Sequence, residues 1–461
     1  MEHEQLPIST SRTSIPIVNA PLAAPTSGSQ HSADAPQGHH VDLSQPPPSP
    51  TVQVTTRAWA PLAIPLYRSF WVAGLFSNLG TWMHETGAQW LMNELHGSPA
   101  MVSGVRTAMA LPVFCLALPA GVWADRFDRR TWLMASQAGL LFFAGLMAVL
   151  DWSGAMTPML LLILTGCMGV AMILNQPAWQ AFTPELVPPA MIPAAVAVGS
   201  VSFNLARSLG PALAGLLIAS VGTWSTFLFN AISFSGVIVL LLYWRQPPTP
   251  CEKPYESFFQ ELWHGLTWLA NSSTLRSVLA RVFLFAFPAS CLWSLLSLVA
   301  SDKLGMGASG FGILLGAVGI GAVLGTSVLS RVRAKLTSEA TVLCSASLYA
   351  VCCLAMAAPL TAWGGIGILL LVGVGWMTTM TTLNATAQIY LPRRLRARGM
   401  SAYLMAFSCG MAFGSLCWGQ VAEHFGLNVA FIAAAITMLI TAAISHRWPI
   451  GSLHSHHLPV A

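Results

Sequence analysis

Gly121-Val-Trp-Ala-Asp125-Arg126-Phe-Asp128-Arg129-Arg130 packs five charges into a short stretch of a chain in which only 8% of residues are charged. The apolar runs on either side, Met101 to Val122 and Trp132 to Leu150, each have the length that crosses a bilayer, about 20 residues. The block therefore reads as a tight, basic loop joining two membrane helices.

The rest of the 461-residue chain extends that reading, with 55% hydrophobic residues. Twelve apolar spans are expected at 69–92, 99–122, 132–150, 158–181, 194–219, 224–244, 277–300, 309–330, 338–358, 363–389, 400–420 and 428–446. Basic residues collect in alternate loops. Arg126, Arg129 and Arg130 lie in loop 2–3, and Arg245, Lys253 and Arg276 in loop 6–7. Arg331, Arg333 and Lys335 lie in loop 8–9, and Arg393, Arg394, Arg396 and Arg398 in loop 10–11, while the opposite loops hold only Lys303. Positive charge is retained on the cytoplasmic side, so both termini are expected in the cytoplasm. The net charge of +5 then reflects orientation in the bilayer and not nucleic-acid binding.

Residues 1–60 are rich in Pro, Ser, Thr, Ala and Gln, and are expected to be disordered for want of apolar surface. No apolar stretch follows Met1, so no cleavable signal is expected. The nine cysteines form no Cys-x-x-Cys pair, and Cys352-Cys353 reads as helix packing. His39-His40 and His456-His457 read as solvated tail, and no metal site or cofactor is expected.

Displaced by 204 residues, the chain superposes on itself at Gly121/Gly325, Gly169/Gly373, Pro188/Pro392, Gly210/Gly414, Gly215/Gly419, Gly222/Gly426 and Phe227/Phe431. Each match falls at the same point of the helix-and-loop plan, and loop 8–9 becomes a degenerate copy of the opening motif. The expected fold is an all-α membrane protein of twelve transmembrane helices in two pseudo-symmetric six-helix bundles, 66–245 and 276–447. A cytoplasmic tail (1–65), a linker (246–275) and a second tail (448–461) complete the plan. In the linker, Phe259, Leu262, Trp263, Leu266 and Leu269 recur at helical spacing and suggest an amphipathic helix.

The pattern Gly-x-x-x-Asp-Arg-x-x-Arg-Arg resembles the loop signature of the major facilitator superfamily of transporters. Ser77-Asn-Leu-Gly-Thr-Trp82, Leu118-Pro-Ala-Gly121, Pro177-Ala-Trp-Gln180 and Pro184-Glu-Leu-Val-Pro188 narrow the resemblance. Asn204-x-x-Arg207-x-x-Gly210-Pro211, Leu275-Arg276, Gly319-x-Gly-Ala-Val-Leu-Gly325 and Arg396-Ala-Arg-Gly399 narrow it further. Together these look like the bacterial exporter branch that includes enterobactin-exporter-like and macrolide-efflux-like proteins. Two departures stand out: Pro188-Pro189 replaces a basic residue common among relatives, and Arg106 occupies a usually uncharged spot.

The resemblance implies a conformational latch at Gly121, Asp125, Arg126, Arg129 and Arg130, in which Asp125 meets the start of helix 11 near Gly399–Ser401 together with Arg129 or Arg130. A carboxylate at the end of its own helix is disfavoured by the dipole, so Asp125 needs such partners. Gly210, Pro211 and Gly215 in helix 5 read as close helix packing, and they resemble part of the antiporter signature of drug exporters.

Glu85 and Arg106 both lie about 10–12 Å below the outer surface by helical rise, at matching depth. They are expected to pair, either as a static salt bridge or as a proton-coupling site. Arg207, with Asn204 one turn earlier, either anchors neighbouring carbonyls or receives an anionic group, whereas Arg281 is expected to snorkel to the cytoplasmic face. The resemblance assigns the central cavity to helices 1, 4, 7 and 10. Its candidates are Asn78, Trp82 and Gln89, then Asn175, Gln176 and Gln180, then Trp376, Thr378, Thr379, Thr382 and Asn384.

These residues suit a sizeable amphipathic cargo. The expected function is a secondary transporter of the cell inner membrane that exports a small organic molecule (a drug, siderophore or metabolite) by proton antiport and alternating access. It is expected to act as a monomer in the lipid bilayer, without nucleic acid and without enzyme activity. An importer of the same fold, a lipid flippase-like protein and a transporter-like sensor are the alternatives.

Overall fold

Proline opens α1 (Pro65–Glu94), α2 (Pro99–Arg126) and α4 (Pro158–Phe182), where its missing N–H removes one of the donors a helix start leaves unpaired. Between them lies α3 (Arg129–Trp152); α5 (Ile192–Val221) and α6 (Trp224–Tyr243) complete the first half. The second half holds α7 (Ser273–Leu298), α8 (Ala308–Arg333), α9 (Ser338–Ala357), α10 (Ala362–Tyr390), α11 (Arg396–Phe425) and α12 (Leu427–Ser445). The computed structural model describes residues 58–244, 273–333, 335–391 and 396–445. The first 57 residues of the tail, nearly all of the linker with its expected amphipathic helix, and the C-terminal tail lie outside the described residues. Residues 58–65, assigned to the tail from sequence, instead form a 3-10 turn at Ala60–Ala63 and the first residue of α1.

Asp128, Thr157, Thr337 and Thr361 cap α3, α4, α9 and α10 by accepting a backbone N–H from the first turn. The side-chain and backbone hydrogen bonds from Thr131 hold the Asp128 carboxyl below its usual range. A depressed carboxylate stabilises the fold above its ordinary titration range and stops doing so as pH falls through the depressed value. Asp128→Ala is therefore expected to cost about 1 kcal/mol at neutral pH. Thermal melts of the variant and its parent should differ at neutral pH and converge in acid.

Eleven of the twelve described helices are long and apolar enough to cross a membrane. The exception, α1, carries Arg68, Asn78, His84, Glu85, Gln89 and Glu94. Of these, His84 and Gln89 are buried.

The 204-residue repeat has a packing cause. In the first half α1 packs on α5 and α6, α3 on α4 and α6, and α2 on α4. In the second, α7 packs on α11 and α12, α9 on α10 and α12, and α8 on α10. The halves meet along α2–α11 and α5–α8, which the pseudo-twofold exchanges. Three glycine pairs, Gly169/Gly373, Gly210/Gly414 and Gly215/Gly419, sit at equivalent crossings, whereas Gly121 has no close neighbour where Gly325 meets Val374 of α10. A Cβ on Gly210 would come 2.6 Å from Trp82 Cβ on α1, while one on Gly414 would meet Phe287 and Ser290 on α7. Gly215 lies against Ala308 and Gly312 of α8, and Gly419 against Ala100 and Ser103 of α2. Gly222 and Gly426 end α5 and α11 at φ 110° and 87°, which an L side chain rarely adopts.

The two ends of the bundle differ. One end carries the α2–α3 loop and is called the basic end below. At the other end the halves are sealed: Leu295 to Leu298 of α7 and Val299 and Ala300 just after it are buried, Trp90 stacks on Phe311 at 5.9 Å, and Gly215 touches Gly312. Pro211, Gly215 and Ile218 form the buried, inward face of α5. Ala197, Ser200 and Asn204 continue that same face towards the basic end, yet are exposed. On α8 the corresponding change runs from buried Gly312, Leu315 and Gly319 to exposed Val323 and Thr326. The α5–α8 seam is thus shut at one end and parted at the other. The α2–α11 seam stays joined deeper, through Phe114–Phe413 and the packing of Met405 with Ala117 and Ala120.

Lys303, the lone basic residue expected in the opposite loops, has a structural task. Its ammonium donates to the carbonyls of Met356 (2.5 Å) and Ala358 (3.0 Å), satisfying the C-terminus of α9.

Candidate functional site

Where the α5–α8 seam closes, α1, α2, α5, α7 and α8 enclose a narrow polar cavity lined by Trp82, Glu85, Gln89, Arg106, Arg207 and Trp293, among others. Arg106 Nη1 lies 3.2 Å from Glu85 Oε2, with the two side chains 15% and 17% exposed. The Gln89 amide completes the guanidinium's surroundings: in the amide orientation that matches both neighbours, its oxygen accepts from Arg106 Nη2 at 3.0 Å and its nitrogen donates to the Trp293 carbonyl at 3.3 Å. The Trp293 ring lies under the same guanidinium, 5.6 Å from its centre. An α1 helical turn separates Glu85 from Gln89, so both point to one side, where α2 presents Arg106.

Arg207 enters from α5. Its guanidinium lies 6.0 Å from the centre of the Trp82 ring, and among the described residues no carboxylate pairs with it. The Trp293 indole N–H also lacks a partner among the described residues. With one carboxylate and two guanidinium groups, the cavity carries one net positive charge and retains unmatched donors.

The other candidate residues scatter. Asn78 lines a second hollow nearer the basic end, with Trp179 and Gly199. Asn175 turns away from the interior and accepts from Ser136 (3.1 Å) and Gln137 (3.3 Å) of α3. Gln176 and Gln180 are exposed on the face of α4 that carries Ile173, whose cluster includes α2 and Met405. Asn204 donates to the Ser200 carbonyl of its own helix at 2.8 Å. On α10, Trp376 is packed among Phe285, Trp293, Tyr349 and Phe407, and Thr379 is fully buried against Ser345 at 2.6 Å. Thr378 and Thr382 are buried, and Asn384 accepts from Gln388 at 2.5 Å. Asn175, Trp376 and Thr379 thus pack helices in this conformation, because a polar or aromatic side chain can satisfy itself against a neighbouring helix as well as in a cavity.

One further expectation changes. Arg281 does not snorkel: it is 3% exposed and reaches Glu339 at 3.5 Å between α7 and α9. Of the latch residues, the Asp125 side chain lies outside the described residues, and Gly121 makes no close helix approach. Arg129 pairs with Glu185, and Arg130 donates to the Leu241 (2.8 Å) and Leu242 (3.1 Å) carbonyls at the end of α6.

Sequence reading missed His84. It is buried between α1 and α6, edge-on to Phe227 at 4.8 Å, with neither ring nitrogen bonded among the described residues. Only its adjacency to Glu85 pointed to it.

Twelve described helices in two matched halves, eleven of them long and apolar enough to cross a membrane, with a charged cavity in the seam between them, have the architecture of a multi-pass membrane transporter of the major facilitator type. The chain belongs to the transmembrane secretion effector family, whose profile matches residues 56–460. It is 27% identical over 386 residues to an uncharacterised MFS-type transporter, YfiS, of Bacillus subtilis, covering 80% of this chain and 89% of that protein. It is 24% identical over 395 residues to the multidrug efflux pump Tap of Mycobacterium tuberculosis, covering 82% and 92%. Among solved structures, a bacterial homologue of the human lysosomal transporter Spinster, inward-facing and occupied, superposes with a TM-score of 0.67 at 14% identity, over 85% of this chain and 98% of that one.

Proposed function

We propose that this protein exports a small organic molecule from the cytoplasm across the cell inner membrane by alternating access, in exchange for protons. The observation that carries the reading is the placement of the Glu85–Arg106 pair at the point where the α5–α8 seam passes from sealed to parted. A site there is reached from one side at a time if the halves rock about it. The basic loops favour a cytoplasmic location for the parted end and for both termini, so that cargo loads from inside. Kinship with a multidrug efflux pump supports the outward direction.

Glu85 is the proton site in this reading, and the charge count constrains the cargo. Protonating Glu85 takes the cavity from one net positive charge to two. An acidic cargo would bind better to the protonated site and would travel with the proton. Exchange therefore calls for a cargo without an acidic group. The unmatched donors of Arg207 and Trp293 favour a neutral amphipathic molecule bearing acceptor oxygens.

The test compares the interiors and media of cells with and without the gene by untargeted mass spectrometry, repeated with a proton uncoupler. A neutral compound should accumulate inside cells lacking the gene, and its release from gene-bearing cells should collapse with uncoupler. A compound that enters only when the gene is present would reverse the direction, and release that survives the uncoupler would remove the proton.

A further inference from the structure

At the sealed end the first turn of α2 has an unusual cap. Ser98 occupies the N-cap position but does not accept from its own helix. Its hydroxyl instead donates to Glu423 Oε2 at 2.8 Å, and the Ala100 amide donates to the same oxygen at 3.2 Å. Glu423 lies on the last turn of α11, in the other half of the molecule. A carboxylate from one half thus satisfies the unpaired amide and the positive dipole end of a helix in the other.

The arrangement has a counterpart in the sequence. The α2 and α11 helices run antiparallel, and Asp125 lies on the last turn of α2 as Glu423 lies on the last turn of α11. In chain order, each end of the seam therefore has an acidic residue in the last turn of one helix and the N-terminus of the other. The remaining seam has no equivalent: displacement of Glu423 by the repeat offset falls on Ala219, and α5–α8 closes by the approach of Gly215 to Gly312.

We infer that Glu423 is the latch of the sealed end, holding α2 to α11 while the cavity opens at the basic end, and releasing when the halves rock. The inference rests on the alternating-access reading but not on the cargo, the direction or the coupling ion. Breaking the cap destabilises one of two states, and about 1 kcal/mol changes their ratio roughly fivefold.

Hydrogen–deuterium exchange on the purified full-length protein, without cargo, tests this. In Glu423→Ala, amides at 100–104 within the 99–104 segment should exchange several-fold faster, and those at 399–405 should slow as the basic end closes. Glu423→Gln keeps an acceptor without the charge and should fall between. Ser98→Ala removes only the hydroxyl donor and should shift both segments in the same sense, which covers the case of an unfolded Glu423 variant. Unchanged exchange, or faster exchange at 99–104 alone, would overturn the latch and leave a local helix cap. Because no flux is measured, a failed export assay leaves this outcome readable.

Discussion

Gly373→Ala should be among the most damaging small substitutions in the second half. The added methyl would be driven into the Val318 carbonyl and would come 2.7 Å from the Ala322 amide nitrogen, so it meets backbone that cannot rotate aside. Helices α8 and α10 would have to separate, at a cost of about 3 kcal/mol, the upper end of ordinary overpacking. The repeat supplies graded controls. At Gly169 the nearest neighbours of a Cβ lie at 3.1–3.2 Å, so Gly169→Ala should cost less. At Gly145 nothing lies within 4 Å, and Gly145→Ala should be neutral or mildly stabilising through helix propensity. Melting temperatures of the three variants in one detergent should rank 145, 169, 373 from highest to lowest. A Gly373 variant that melts with the Gly145 variant would mean that α8 and α10 do not cross as described.

Glu85→Gln should abolish flux while leaving the protein folded. Removing one member of a wholly buried ion pair costs about 3–5 kcal/mol, because the other charge is stranded. The partial exposure of Glu85 and Arg106 lowers the expected loss to about 2 kcal/mol. The Gln89 oxygen and the Trp293 ring remain to hold the guanidinium. A second change, Arg106→Gln, removes the stranded charge. The double variant should recover most of the lost melting temperature yet stay inactive, which separates the chemistry of the pair from its contribution to the fold. Transport by Glu85→Gln at the parent rate, with the parent's dependence on external pH, would demote the pair to a static bridge.

The ion pair was legible because depth along a helix can be counted, and charges deep in hydrocarbon have few places to go. The repeat was legible for a related reason. Glycines at 210 and 414, or 222 and 426, answer the same steric demand in each half, so their spacing survives where the surrounding side chains diverge. What could not be read was direction around the helix axis. Asn175 and Thr379 have the composition of cavity residues, and nothing in a run of apolar neighbours says whether the amide faces a void or the next helix. Arg281 was misplaced because its partner, Glu339, sits 58 residues away on α9. Glu423 looked like any acid at a helix end, and its meaning depends on a helix start 325 residues distant.

The imbalance of Glu85, Arg106 and Arg207 has an electrical side. As the seal passes from one end of the seam to the other, the same positive charge leaves the potential of one compartment and takes on that of the other. Each elementary charge so transferred is worth about 2.3 kcal/mol per 100 mV. In the proposed exchange the loaded carrier moves outward with one positive charge and returns protonated with two, so one net positive charge enters per cycle and turnover should quicken with an inside-negative voltage even where no pH gradient exists.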